Sequence, residues 1–76
     1  MRDVIINTLK EGLKYDDLIV QGSDAKYEVK IVSDEFNGKT IIQRHKIIYA
    51  LLDSYIKTGE IHALTIKAHT SSESKQ

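Results

Sequence analysis

The chain has 76 residues, 41% of them hydrophobic and 29% charged, and its 11 basic residues balance its 11 acidic ones. This composition is typical of one small globular domain, and zero net charge excludes a whole-molecule attraction to nucleic acid or membrane. The sequence contains no cysteine, which excludes a disulfide framework and any thiolate nucleophile or metal ligand from this chain.

The start of the chain predicts a surface helix. Ile5, Leu9 and Leu13 recur every four residues, with Gly12 as the expected stop, so we expect the helix over residues 2–13. The segment has neither a long apolar run nor a cleavage signal, and we therefore do not interpret it as a signal peptide. These features predict a cytoplasmic protein with no membrane segment.

Two strands are expected next. The apolar run at residues 18–20 predicts a short strand, and residues 21–24 predict a turn after it. Apolar and polar residues then alternate over residues 27–31, as in a half-buried strand. The turn between two neighbouring strands favours an antiparallel hairpin.

The main helix is predicted from its cap and its apolar spacing. Thr40 and Gln43 form a Thr-x-x-Gln capping box, and Gly59 marks the expected end. The apolar stripe recurs at three- and four-residue intervals and consists of Ile41, Ile42, His45, Ile48, Tyr49, Leu52 and Ile56.

The last strand is expected over residues 61–69, and residues 70–76 form a polar, disordered tail. The domain is therefore placed at residues 1–69. The predicted order is helix, strand, strand, helix (one or two) and strand, which indicates an α+β fold. We expect a three-stranded mixed sheet with helices on one face and a parallel crossover between the second and third strands.

Residues 31–68 carry a family resemblance. They combine an acidic turn that ends in Gly38, an Arg44-His45 pair in the main helix, and an Ile61-His62-Ala63 strand start. This arrangement resembles that of BolA-like proteins. The resemblance implies a class II KH-like topology and a role as an adaptor of monothiol glutaredoxins and [2Fe-2S] clusters, and such proteins have also been proposed to bind DNA.

His62 is the first candidate site residue. A neutral imidazole is a good ligand for iron or zinc, whereas a histidine packed at a strand end is the commoner situation. The resemblance implies that His62 is the cluster ligand offered to a glutaredoxin. We expect the isolated chain to bind no cluster.

The second ligand that the resemblance implies is missing. It would lie in the loop between the first two strands, where Lys26 stands at the expected position and the loop has neither His nor Cys. A protonated lysine does not coordinate a metal, and Asp24 would be an unusual donor to a soft cluster. The remaining ligands would come from the partner's thiol and a glutathione.

Of the other two histidines, His45 is interpreted as a structural residue at the edge of the core and His69 as a solvated side chain. His45 falls on the apolar stripe of the main helix, and His69 lies near the end of the last strand. The three histidines do not have the spacing of a helical zinc motif, which argues against a self-contained metal site.

A short basic segment could bind phosphates or a protein partner. Lys39, Gln43, Arg44 and Lys46 lie at the start of the main helix, a position that favours anions. Against nucleic acid, Asp34 and Glu35 are adjacent to the segment, and the sequence lacks the Gly-x-x-Gly loop of KH domains.

No enzyme motif occurs in the sequence, so we predict that the protein is not an enzyme. The leading hypothesis is an adaptor that binds a monothiol glutaredoxin and takes part in holding or transferring a [2Fe-2S] cluster. Its docking surface is expected to combine the sheet end near His62 with the helix start near Arg44 and Lys46. The alternatives are a DNA- or RNA-binding transcriptional regulator and a metal-free protein-interaction module, as a monomer or weak homodimer.

Overall fold

The computed structural model describes residues 1–75. The elements follow the chain as α1 (Arg2–Gly12), β1 (Asp17–Ser23), β2 (Lys26–Val32), a 3₁₀ turn (Asp34–Phe36), α2 (Ile41–Lys57), β3 (Ala63–His69) and α3 (Ser71–Ser74). The predicted order from the first helix to the last strand is confirmed, and the main helix is continuous. None of the helices in this part of the chain has the length and hydropathy needed to cross a bilayer.

The three strands form one mixed sheet in the order β1-β2-β3. β1 pairs antiparallel with β2, and β2 pairs parallel with β3. α1 lies against β1, α2 against β3, and the two helices contact each other. The α+β prediction is thus confirmed, with α2 as the crossover that a parallel pair requires.

The core lies between the sheet and these two helices. Alternate strand residues, among them Val20, Val29 and Ile31, are at most 1% exposed and point toward the helices. Phe36, in the short 3₁₀ turn before α2, is fully buried and belongs to this core. The period-two pattern of the strands therefore correctly predicted the buried face.

The hairpin turn lies later in the chain than predicted. β1 extends to Ser23, and Asp24 and Ala25 form the turn with φ values of 52° and 67°. Two successive left-handed residues are typical of a type I′ turn, which matches the twist of an antiparallel pair. Gly22, expected in the turn, lies inside β1, where an added Cβ would be 2.1 Å from the Lys26 carbonyl oxygen. The glycine thus permits close approach of the two strands.

The apolar stripe predicted for α2 is only partly buried. Ile48 and Leu52 are fully buried, whereas Ile41 and Ile42 are each 68% exposed and Tyr49 is 43% exposed. Residues 44, 48 and 52 define the line that faces the core, because they are spaced one helical turn apart. The two isoleucines belong to the first turn of the helix, outside that line.

The predicted disordered tail contains a helix. Thr70 caps α3: its side chain accepts the N–H of Glu73, and the Glu73 carboxylate accepts the N–H of Thr70. Thr70 itself is 5% exposed. The predicted domain boundary after residue 69 therefore separates β3 from a helix that contacts it. Residue 76 of the predicted tail lies outside the described residues.

We predict that Ala25→Gly stabilises the protein. A left-handed conformation strains an alanine by about 1–2 kcal/mol, and the greater freedom of unfolded glycine offsets roughly 0.5–1 kcal/mol of that gain. The free energy of unfolding in urea should therefore rise by roughly 0.5–1 kcal/mol.

The matched control is Ala50→Gly, at an exposed position in the middle of α2. It should lower the free energy of unfolding by about 1 kcal/mol, because glycine is a poor helix former. A decrease for both variants would show that the turn is not strained at Ala25.

Candidate functional site

His62 is exposed and directly precedes β3, and its backbone is held by the hairpin turn. The N–H groups of His62 and Ala63 both donate to the Ala25 carbonyl oxygen, at 2.7 and 3.1 Å. On the other side, Ile61 is 1% exposed and its N–H donates to the Tyr55 carbonyl oxygen at 3.0 Å. The position of the His62 backbone is therefore fixed by both the hairpin and α2, while its imidazole is open to a partner.

The loop between β1 and β2 lies beside His62. Lys26 is paired with Ala63 in the parallel register, so Asp24, Ala25, Lys26 and His62 form one end of the sheet, which we name the hairpin end. Asp24 and Lys26 are both exposed. The loop brings a carboxylate and an ammonium group to this end of the sheet.

The hairpin end does not contain a complete metal site. Within the described residues, no group of three or more His, Cys, Asp or Glu side chains could hold a metal ion. Among the hairpin-end side chains, His62 supplies the one imidazole donor.

The basic helix start lies at the opposite end of the sheet from His62. α2 has 17 residues, and at about 1.5 Å per residue it spans roughly 25 Å. Its first turns lie beside the end of β3, since Arg44 bonds the Ala68 carbonyl, and its last turn lies beside Ile61. The predicted single docking surface of His62 with Arg44 and Lys46 is therefore not formed.

Arg44 is committed to a buried network. It is 8% exposed, and its Nε donates to the Lys39 carbonyl oxygen at 3.0 Å. Its Nη1 donates to the Ala68 carbonyl oxygen at 3.1 Å, and its two Nη atoms meet the Glu73 carboxylate at 2.6 and 3.1 Å. We name this Arg44–Glu73 pair the latch. Arg44 therefore does not contribute to an exposed basic surface, because its N–H groups donate to acceptors within the domain.

The latch shifts the pKa values of both of its side chains. The hydrogen bonds from Arg44 and then from the Thr70 backbone lower the pKa of Glu73 to about 2, and the hydrogen bond with Glu73 raises the pKa of Arg44.

The backbone N–H of Ser71 donates to an Asp34 carboxylate oxygen at 3.3 Å, and the Ser71 hydroxyl bonds Asp16. α3 is thereby tied to the sheet end at several points.

The remaining predicted basic-segment residues are more exposed. Gln43 completes the predicted capping box, in which its side chain accepts the Thr40 N–H at 2.9 Å. The Lys39 ammonium donates to the Glu35 carbonyl oxygen at 2.8 Å, and Lys46 is exposed. Two lysines on one helix start give little electrostatic basis for nucleic-acid binding, which depends on many phosphate contacts. His45 is half-buried on α2.

Glu73 is the residue that sequence reasoning missed. The interpretation of residues 70–76 as a disordered tail left no role for it. The signal was present, since Thr70-Ser71-Ser72-Glu73 is the same capping-box pattern that correctly predicted the start of α2. The segment has no apolar stripe beside its capping box, which is why its sequence predicts disorder.

The latch should make stability depend on acid pH. The pKa of Glu73 is near 4.5 in the unfolded chain and about 2 in the folded protein, so its contribution is complete above the unfolded value and is lost as the pH falls through the folded one. Urea unfolding between pH 6 and 2 should show a steeper loss of stability for the wild type than for Glu73→Gln. Glu11→Gln, an exposed helix position, should keep the wild-type dependence, and equal pH profiles for all three proteins would contradict the latch.

Comparison with known proteins agrees with this architecture. The family model described as BolA-like protein matches residues 5–73. An uncharacterized protein in the rpoN-murA intergenic region of Acinetobacter guillouiae is 40% identical over 65 residues, covering 86% of this chain and 78% of that protein. The BolA domain of SufE1 and the BolA1 protein, both from Arabidopsis thaliana, each superpose with a TM-score of 0.87 over 95% of this chain and 93% of theirs, at 33% and 30% identity. The chain belongs to the BolA-like protein family.

Proposed function

We propose that this protein is an adaptor that binds a monothiol glutaredoxin and shares the glutaredoxin's [2Fe-2S] cluster through His62. The observation that carries the proposal is the hairpin end, where an exposed imidazole follows a backbone position fixed by Ala25 and Ile61. Membership of the BolA-like family supports it, because the family resemblance implies this partner and this ligand position.

The chain contributes one donor and its placement. A neutral imidazole nitrogen suits iron, whereas the Lys26 ammonium has no free electron pair to offer. The cluster is cargo on the partner, whose thiol and bound glutathione would supply the other ligands. The two hydrogen bonds on the Ala25 carbonyl keep the His62 backbone in place, so little conformational freedom is lost when a partner engages the imidazole.

The first prediction from this proposal concerns His62→Ala. Addition of the wild-type protein to [2Fe-2S]-loaded monothiol glutaredoxin should change the visible circular dichroism of the cluster, and His62→Ala should abolish that change. Groups that only orient a metal ligand are worth roughly 10- to 100-fold in metal affinity, so losing the ligand itself should weaken cluster sharing at least that much.

His69→Ala, which removes an imidazole at the other end of β3, is the matched control and should behave as the wild type. An unchanged cluster spectrum with the wild type, or equal spectra for His62→Ala and the wild type, would refute the ligand assignment.

The second prediction concerns Lys26→His. Lys26 is paired with Ala63, next to His62, so an imidazole there would give the hairpin end two nitrogen donors. The mixed complex should then retain its cluster longer against a chelator than the wild-type complex does. Lys30→His, four residues further along β2 on the same face, should give no gain. Equal retention by Lys26→His and the wild type would contradict the idea that Lys26 limits cluster sharing.

A further inference from the structure

The chain makes a tight turn at an Asn-Gly pair just before α2. The Lys39 N–H donates to the Phe36 carbonyl oxygen at 3.1 Å, so Asn37 and Gly38 are the two central residues of a β-turn. Asn37 has φ −56° and ψ 131°, and Gly38 has φ 76°. These angles are those of a type II turn, whose second central residue is left-handed. Glycine is therefore needed at position 38, whereas the angles at position 37 are open to any residue.

The groups that could react with each other at this pair are unobstructed. Asn37 and Gly38 are both exposed, and a Cβ added at Gly38 would meet no atom within 4 Å. Within residues 1–75, neither the Asn37 side-chain amide nor the Gly38 N–H takes part in a hydrogen bond. The side-chain carbonyl carbon of one residue and the backbone nitrogen of the next are thus both free.

The peptide between the two residues can rotate while the chain on either side stays in place. Type I and type II turns differ chiefly in the orientation of this central peptide plane. Phe36 is fully buried before the turn, and the capping box at Thr40 fixes the start of α2 after it. Rotation of the plane therefore brings the Gly38 nitrogen toward Cγ of Asn37 without unfolding either neighbour.

We propose that Asn37 is a site of spontaneous deamidation, with water as the only co-reactant. The Gly38 nitrogen attacks Cγ of Asn37 and gives up its proton, the bond from Cγ to the side-chain nitrogen breaks, and that nitrogen leaves with the proton as ammonia. The product is a five-membered succinimide ring that joins residues 37 and 38. Water opens the ring at either of its two carbonyl carbons, which leaves aspartate or isoaspartate at position 37. The reaction needs neither a partner protein nor a cluster.

Asn7, the other asparagine of the chain, provides an internal comparison. It is also exposed, but it lies within α1 and is followed by the β-branched Thr8. Helical geometry uses the Thr8 N–H in a bond to the Val4 carbonyl, and the Thr8 hydroxyl donates to the same oxygen at 2.7 Å. Reaction at Asn7 therefore requires local opening of α1, whereas reaction at Asn37 requires movement of the turn alone.

The conversion adds a negative charge next to the start of α2. Asp34 and Glu35 already precede the turn in a chain of zero net charge. Lys39 follows the turn, and its ammonium donates to the Glu35 carbonyl oxygen at 2.8 Å. A carboxylate at position 37 gives this segment three acids beside one lysine. An anionic ligand that Lys39 attracts would therefore bind less well after the conversion.

The test compares the folded protein with the same protein unfolded in guanidinium chloride. Both are incubated at mildly alkaline pH, and peptide mass spectrometry follows the change from amide to acid at Asn37 and Asn7 separately. In the folded protein Asn37 should convert at least about 10-fold faster than Asn7, because only the reaction at Asn7 waits for local unfolding. Unfolding should accelerate the reaction at Asn7 and change that at Asn37 little. Labelling with isoaspartyl methyltransferase detects the isoaspartate product.

Asn37→Gln is the matched variant, because its longer side chain would have to close a six-membered ring, which forms more slowly. It should keep the fold and accumulate no isoaspartate at position 37. Asn37→Asp should focus at the same isoelectric point as the converted wild type. Equal rates at Asn37 and Asn7 in the folded protein would overturn the proposal, as would conversion of Asn37 in the unfolded protein alone. Isoaspartate labelling of Asn37→Gln equal to that of the wild type would overturn it too.

Discussion

The parallel pairing of β2 with β3 is the constraint on which the rest of the structure depends. A parallel neighbour cannot be reached by a short turn, so the chain has to return along the full length of α2 before β3 begins. The first residues of β3 are thereby placed beside the first residues of β2, which are those that follow the hairpin turn. His62 meets Ala25 for this reason, and the start of α2 is carried to the opposite end, where Arg44 meets Ala68.

The parts of the fold that local patterns determine could be predicted from the sequence. Thr40 and Gln43 cap α2 as their spacing indicates, and the alternation along β2 and β3 identified the buried face. The burial of Arg44 could not be predicted in this way, because its partner Glu73 is 29 residues distant in sequence. Helical spacing likewise cannot show where a core ends, which is why the predicted apolar stripe includes Ile41 and Ile42 although both are exposed. Of the candidate site, the position of His62 at a strand start was predictable, whereas its separation from Lys39 and Lys46 required the topology.

The latch explains how a charged side chain can lie within so small a domain. A nearly buried guanidinium is tolerable only when its donors are satisfied, and Arg44 finds two backbone carbonyls and a carboxylate in bidentate geometry. Removing Glu73 would leave that charge without its partner, so α3 is part of the domain despite its length of four residues. The same pairing removes the one arginine that would have made the helix start attractive to phosphates. The exposed surface there is left with apolar side chains and two lysines, a composition more typical of protein contacts.

A single donor at the hairpin end has a consequence for how a partner can be held. In the proposed function, one imidazole cannot by itself keep a cluster-bearing protein in place, so most of the binding free energy would have to come from surface contact elsewhere. Effects at sites more than about 10 Å apart with no shared side chains usually add independently, and the two ends of α2 are farther apart than that. Substitutions at the start of α2 and at His62 should therefore contribute separately to the free energy of any complex that contacts both ends.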